Sequence, residues 1–201
     1  MSASLAIPFD KTLVKKLASL RRPKTRQEFL AWNPHDGFKY EWENGNILKL
    51  PKMITPEQFY IVKNLTRFFQ TTQAFKKGDE LMPEVKSSTI DTQIRVPDIG
   101  YFTSQQQYLM EQGEAVTPSF AIEIISPTDF FYKVDMKLEE YFEAGVKILW
   151  HIIPETEKIY VFTASDEVKI CKGDAICSAE PMIEGFSLST NDIFKKSFQK
   201  I

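Results

Sequence analysis

The sequence predicts an α/β fold of the α+β kind, with a central mixed β-sheet flanked by helices. Three observations carry this. Short apolar runs rich in β-branched and aromatic residues recur along the chain. Two amphipathic stretches of helical period separate them. Turn residues mark most junctions. With 201 residues, 43% of them apolar and 26% charged, the chain is long enough for one domain with a real core. The 16 Phe suit packed layers.

The elements follow in order. Pro23, Pro34 and Gly37 punctuate the first forty residues, and YEWENGNILKLP (40–51) reads as a hairpin turning at Asn44-Gly45. Thr55, Pro56 and Gln58 then give an N-cap, a proline at the first helical position and a capping box. Ile61, Val62, Leu65, Phe68 and Phe69 continue as an apolar stripe, which predicts a helix running to a stop near Lys77-Gly78. LMPEV (81–85) and TQIRVPDIGYF (92–102) read as strands. SFAIEII (119–125) reads as a central strand buried on both faces. A second helix is expected over 132–144, with Val134, Leu138, Tyr141 and Phe142 inward, Gly145 at its C-cap and Ser126-Pro127-Thr128 as candidate caps. KILWHII (147–153) and KIYVFTA (158–164) follow as strands about a turn at Pro154, and Lys172-Gly173-Asp174 suggests a further hairpin.

Charge divides unevenly. The net −2 combines +6 over residues 1–26 (seven basic residues, Lys11, Lys15, Lys16, Arg21, Arg22, Lys24 and Arg26, against Asp10) with −8 elsewhere. A basic arm can bind phosphates, but Leu13, Val14, Leu17 and Leu20 equally fit an amphipathic helix with a solvated face. Residues 1–24 are therefore expected as a basic arm or helix and residues 25–201 as a single domain. No apolar run approaches the ~18 residues of a membrane span, and no long apolar stretch follows Met1. A cytoplasmic protein without membrane contact is expected. Cys171 and Cys177 have no ligand-type neighbours that would complete a zinc set, and read as reduced thiols.

Two acids stand in the wrong surroundings. Glu123 interrupts FAIEII, and Asp98 follows Pro97 in another apolar strand. A buried carboxylate is costly unless it is paired or bound to a cation. Two such acids at strand ends can converge on one hard cation, which polarises a phosphodiester and activates water. An ion pair of Glu123 with an Arg or Lys, such as Arg95, explains the same residues equally well. Lys133 and Lys137, one turn apart on the second helix, each offer a cation for phosphate charge, and each is equally readable as a solvated surface lysine. His151, in an apolar strand, reads as a core or interface residue, and Trp150 as core.

YEWENGNI (40–47), RVPDIGYF (95–102), PSFAIEIISPT (118–128) and KLEEYFEAGVKILWHIIP (137–154), in this order and spacing, resemble the Uma-type restriction endonuclease family of the PD-(D/E)XK nuclease superfamily. TRQEFLAW (25–32) is similar to its N-terminal helix motif, so the resemblance spans residues 25–165. It implies a restriction-endonuclease-like fold with an N-terminal helix and β-hairpin. It also implies that Asp98 and Glu123 hold Mg²⁺ or Mn²⁺, with the carbonyl of Ile124 as third ligand. The superfamily's lysine two residues after the second acid is here Ile125, and Lys137 aligns with the family's migrated lysine. Glu41 matches the family's hairpin glutamate, an auxiliary position where composition alone reads a surface residue. Lys133 stands where the family often has an acid, and Gln58 where it often has His; Gln58 has a capping role already.

The expected function is a metal-dependent endonuclease hydrolysing DNA, acting as a homodimer. The rival expectation is a non-catalytic homo-oligomeric or nucleic-acid-associated module on a nuclease scaffold, because a fold does not guarantee its usual chemistry. No phosphate-binding Gly-rich loop and no nucleophile elbow is present.

Overall fold

A computed structural model describes residues 21–51 and 55–196. Most of the predicted arm, residues 1–20 with Leu13, Val14, Leu17 and Leu20, lies outside the described residues.

Helix α1 (Arg26–Ala31) is only six residues long. Thr25 caps its first turn, and the Lys86 ammonium donates to the carbonyls of Phe29, Leu30 and Trp32 at its end. Cations there satisfy carbonyls that the helix itself cannot pair. The predicted hairpin forms as β1 (Phe38–Glu43) and β2 (Asn46–Pro51). Its turn residues Asn44 and Gly45 have φ of 49° and 83°, the paired positive values of a two-residue hairpin turn. Helix α2 (Pro56–Phe69) begins at the predicted capping box, with Ile61, Leu65 and Phe69 buried.

It stops earlier than the apolar stripe suggests. The Thr71 hydroxyl donates to the Phe68 carbonyl and the Thr72 hydroxyl to that of Phe69. Thr72 then caps a separate short helix, α3 (Gln73–Lys76). Two adjacent threonines offer the backbone local bonds that compete with helix continuation. Strands β3 (Glu80–Pro83), β4 (Ser87–Ser88), β5 (Gln93–Arg95) and β6 (Ile99–Phe102) follow, then helix α4 (Ser104–Glu111), strand β7 (Phe120–Ile124), helix α5 (Phe131–Glu143) and strand β8 (Ile148–Ile153). After the turn at Pro154 come β9 (Lys158–Ala164), β10 (Glu167–Lys172), β11 (Ile176–Ser178), β12 (Ser187–Ser189) and the short helix α6 (Thr190–Ile193).

The central sheet is mixed, six-stranded and ordered β10-β9-β8-β7-β6-β3. Only β7 and β8 run parallel, and α5 makes the crossover between them. A second sheet, β2-β1-β5-β4, carries the hairpin. The segment predicted as one strand over 92–102 therefore serves two sheets and breaks at Val96-Pro97-Asp98. Pro97 has no N–H for a ladder, and the Val96 N–H goes instead to the Glu41 carboxylate. The expected hairpin at Lys172-Gly173-Asp174 is a turn only, since β10 pairs with β9 and β11 with β12. Ser126 and Thr128 bond to one another, the Ser126 N–H donates to Asp129, and α5 starts without a side-chain cap.

The faces of the sheet alternate as strand geometry requires. Phe120, Ile122, Ile124, Trp150 and Ile152 pack with Ile61, Leu65 and Phe69 of α2 in the main core, which also buries both cysteines as free thiols. The opposite face packs Ala121 and Leu149 on Leu138 and Tyr141 of α5. Val134 and Phe142, also predicted inward, are half-buried.

Candidate active site

Strand ends, hairpin and α5 meet at one cluster of charges. Asp98 sits at the break between β5 and β6, where the chain passes from one sheet to the other. Its Oδ2 accepts the Ile124 N–H at 2.7 Å, and its Oδ1 meets the Lys39 ammonium at 3.1 Å. Ile124 is the last residue of β7 and Glu123 the one before it, so Asp98 is pinned beside Glu123. Glu123 is 8% exposed. Its Oε1 accepts the Tyr141 hydroxyl at 2.7 Å, and Oε2 accepts no hydrogen bond from the described residues. Glu41 is fully buried; its Oε1 accepts from Lys137 at 2.9 Å, and its Oε2 faces Arg95 at 3.3 Å.

Local geometry explains each placement. Alternation along β1 puts Lys39, Glu41 and Glu43 on one face. On α5, Lys137, Glu140 and Tyr141 share a face through i, i+3 and i, i+4 spacing. Parallel pairing sets His151 beside Glu123. Arg95 is the structural anchor: its guanidinium bonds Glu140 through two nitrogens at 2.6 and 2.7 Å and Glu43 at 2.9 Å. Of the expected ion pairs, the one with Arg95 is thus not formed, because Arg95 is engaged by three other carboxylates, and the cations whose charge acts on Glu123 are Lys137 and Lys39.

The electrostatics follow from burial and neighbours. Burial pushes the Glu123 carboxyl up; Lys137 and Lys39 pull it down, Asp98 and Glu41 add to the rise, and the net displacement is upward. For Glu41, burial is outweighed by Lys137, Lys39 and Arg95, so it is held below the ordinary carboxylate value. Burial opposes the charge on Lys137, but Glu123 and Glu41 more than restore it, and it stays an ammonium. Lys39 behaves alike: burial is outweighed by Asp98, Glu123 and Glu41. His151 falls to about 4 through burial and the nearby Lys137, so it is neutral at neutral pH. Three cations, Lys39, Arg95 and Lys137, face five carboxylates, Glu41, Glu43, Asp98, Glu123 and Glu140, a formal excess of two negative charges. Among the described residues, no three or more His, Cys, Asp or Glu side chains form a ready metal cage.

The family profile of Uma2, described as putative restriction endonuclease, matches residues 26–191, most of the chain. The chain belongs to the Uma2 family. A crystal structure of a putative nuclease of DUF820 from Anabaena variabilis ATCC 29413 superposes with a TM-score of 0.70 and 23% identity, covering 86% of this chain and 98% of that one. That likeness shows a shared fold. No curated protein matches the chain.

Within this Uma2 chain the structure brings Asp98, Glu123, Ile124, Lys137 and Glu41 together. Lys133 does not join them: it is exposed, with its ammonium 5.6 Å from the Phe130 ring centroid. Glu41 is a buried partner of Lys137 and Arg95 rather than a surface glutamate. Sequence reasoning missed Lys39, Arg95 as the anchor, Glu140 and Tyr141 as a Glu123 partner. The alternation of Lys39, Glu41 and Glu43 in the hairpin was the available signal for Lys39. No helix of the described residues is long and apolar enough to cross a membrane.

Proposed function

We propose that the protein is a divalent-metal-dependent endonuclease hydrolysing DNA phosphodiesters, with Asp98 and Glu123 as metal ligands. The observation that carries this reading is the convergence of Asp98 and Glu123 at the end of β7 with Lys137 beside them, in a chain of the Uma2 family. The donor set fits Mg²⁺ or Mn²⁺. It offers hard carboxylate oxygens, one of them without a hydrogen bond from the described residues, and a formal excess of two negative charges. An extended strand turns the N–H and C=O of one residue to the same edge. The Ile124 carbonyl therefore shares the edge on which its N–H meets Asp98, which supports it as a third ligand.

A bound cation supplies polarisation of the phosphodiester and a more acidic water. The protein's own residues do the rest. Tyr141 fixes the Glu123 carboxylate and the Ile124 N–H fixes Asp98. Glu41 aims Lys137, which as an ammonium donates to phosphate oxygen and stabilises charge rather than acting as a base. Cleavage of both strands of a duplex calls for two such sites, which supports a homodimer.

The test pairs calorimetry with cleavage. Wild type should bind Mn²⁺ or Mg²⁺, and Asp98→Ala and Glu123→Ala should abolish the binding. Nicking of supercoiled plasmid or single-stranded DNA should fall about 10²–10³-fold in Lys137→Ala, the scale of a lost transition-state donor. Absence of divalent binding even with DNA present sinks the proposal. Metal binding without cleavage of either DNA moves the protein to the non-catalytic nucleic-acid module.

A further inference from the structure

Lys39 is the residue the nuclease reading leaves without a task, and its surroundings are unusual for a lysine. Its side chain is only 11% exposed, on a residue type that is almost never buried without a partner. Its ammonium pairs with Asp98 Oδ1 at 3.1 Å and lies in the field of Glu123 and Glu41 as well. Those are the acids around which a divalent cation would be held. Arg95 and Lys137 each have another anchor, in Glu140 and Glu41, at bonding distance. Among the described residues, Lys39 makes its one ion pair with Asp98 itself.

We propose that Lys39 is a displaceable internal counter-ion: it neutralises Asp98 in the metal-free protein, competes with the divalent cation for that carboxylate, and is displaced from it when the cation binds. The inference rests on the reading of Asp98 and Glu123 as metal ligands. Its logic is that an ammonium and a divalent cation on one carboxylate repel each other, and the doubly charged, multiply coordinated ion wins. A structural lysine predicts the opposite behaviour, because its removal would leave Asp98 misplaced and weaken binding of any ligand.

Two measurements decide it. Calorimetric titration of Mn²⁺ into Lys39→Met should give affinity at least about tenfold tighter than wild type, since the competitor is gone. Lys39→Arg, which keeps the cation, should remain within about threefold of wild type. The second measurement uses the unmodified protein, so it does not depend on a variant folding. Lysine acylation read by mass spectrometry should leave Lys39 protected in EDTA and raise its labelling several-fold in Mn²⁺, with exposed Lys133 unchanged as the internal standard. If wild type binds Mn²⁺ but Lys39→Met binds no tighter, or Lys39 labelling does not rise, the counter-ion role is overturned and the metal site stands. If neither protein binds a divalent ion, the metal site itself falls, and this inference with it.

Discussion

The two faces of the central sheet are built from alternate residues of the same strands and do opposite work. On the α2 side, Phe120, Ile122, Ile124, Trp150 and Ile152 join an aromatic core in which Trp150 stacks on Phe186 at 5.9 Å and meets Phe120 edge-on at 5.0 Å. On the α5 side, Ala121 and Leu149 supply a smaller apolar cluster, and Glu123 and His151 lie beside each other in register. The first face is dry packing, whose worth scales with apolar area removed from water. The second has titratable groups held away from their ordinary behaviour by burial and by each other. The candidate site and the packed core are thus separated by one residue along the strand, not by a domain boundary.

The largest expected effect breaks the first face alone. Trp150→Ala should cost about 3–5 kcal/mol in denaturant unfolding, the range for emptying an aromatic site. Mn²⁺ affinity of the folded fraction should be unchanged. A loss below about 1 kcal/mol would show that this face is not where stability resides.

A smaller effect comes from the second face and appears with pH. His151 has a folded pKa of about 4 against an ordinary 6.5. Between those values the unfolded chain takes up a proton that the folded protein refuses, so stability falls as pH drops through that window. Its full extent is on the order of 3 kcal/mol. Glu41, whose pKa is depressed, loses its own contribution as pH falls further. The comparison with His151→Leu isolates the histidine: the variant should lose less stability than wild type between pH 7 and 4.5 in urea melts. Parallel acid limbs in the two proteins would place the pH dependence elsewhere.

The same division decides how much was legible in sequence. Local rules could be read directly: the Thr55 and Gln58 capping box, the Asn44-Gly45 turn and the run around Glu123 all depend on neighbours within a few residues. Glu123 and Asp98 stood out because a carboxylate in an apolar strand has no cheap explanation. Their surroundings were not legible. Whether Glu123 met Arg95 depended on where a guanidinium at the end of β5, in the other sheet, was drawn, and Glu140 and Glu43 claimed it. Lys39 was hidden because a hairpin lysine is usually solvated, and only the docking of β1 against the strand ends buries it. At the end of α2 the conflict is local: the stripe through Phe69 favours continuation, while Thr71 and Thr72 supply a competing set of hydrogen bonds.

The smallest expected effect sharpens the contrast most, because its sign separates a functional acid from a structural one. Glu123 has its carboxyl pKa raised on folding. Such a group contributes stability below its unfolded pKa and loses it as pH rises through the folded value, so the ionised form of Glu123 works against the metal-free fold. Glu123→Gln keeps an oxygen to accept the Tyr141 hydroxyl and removes the charge. In EDTA at pH 8 it should be more stable by about 1 kcal/mol, roughly 2–4 °C for a chain of this size. The gain should shrink as pH falls and the wild-type carboxyl protonates as well. Added Mn²⁺ should reverse the order, raising the melting temperature of wild type and not of the variant. A lower melting temperature of Glu123→Gln in EDTA would mean that Lys137 and Lys39 draw more from Glu123 than burial takes away. Glu123 would then belong with Arg95 and Glu140 among the ion pairs that hold the fold.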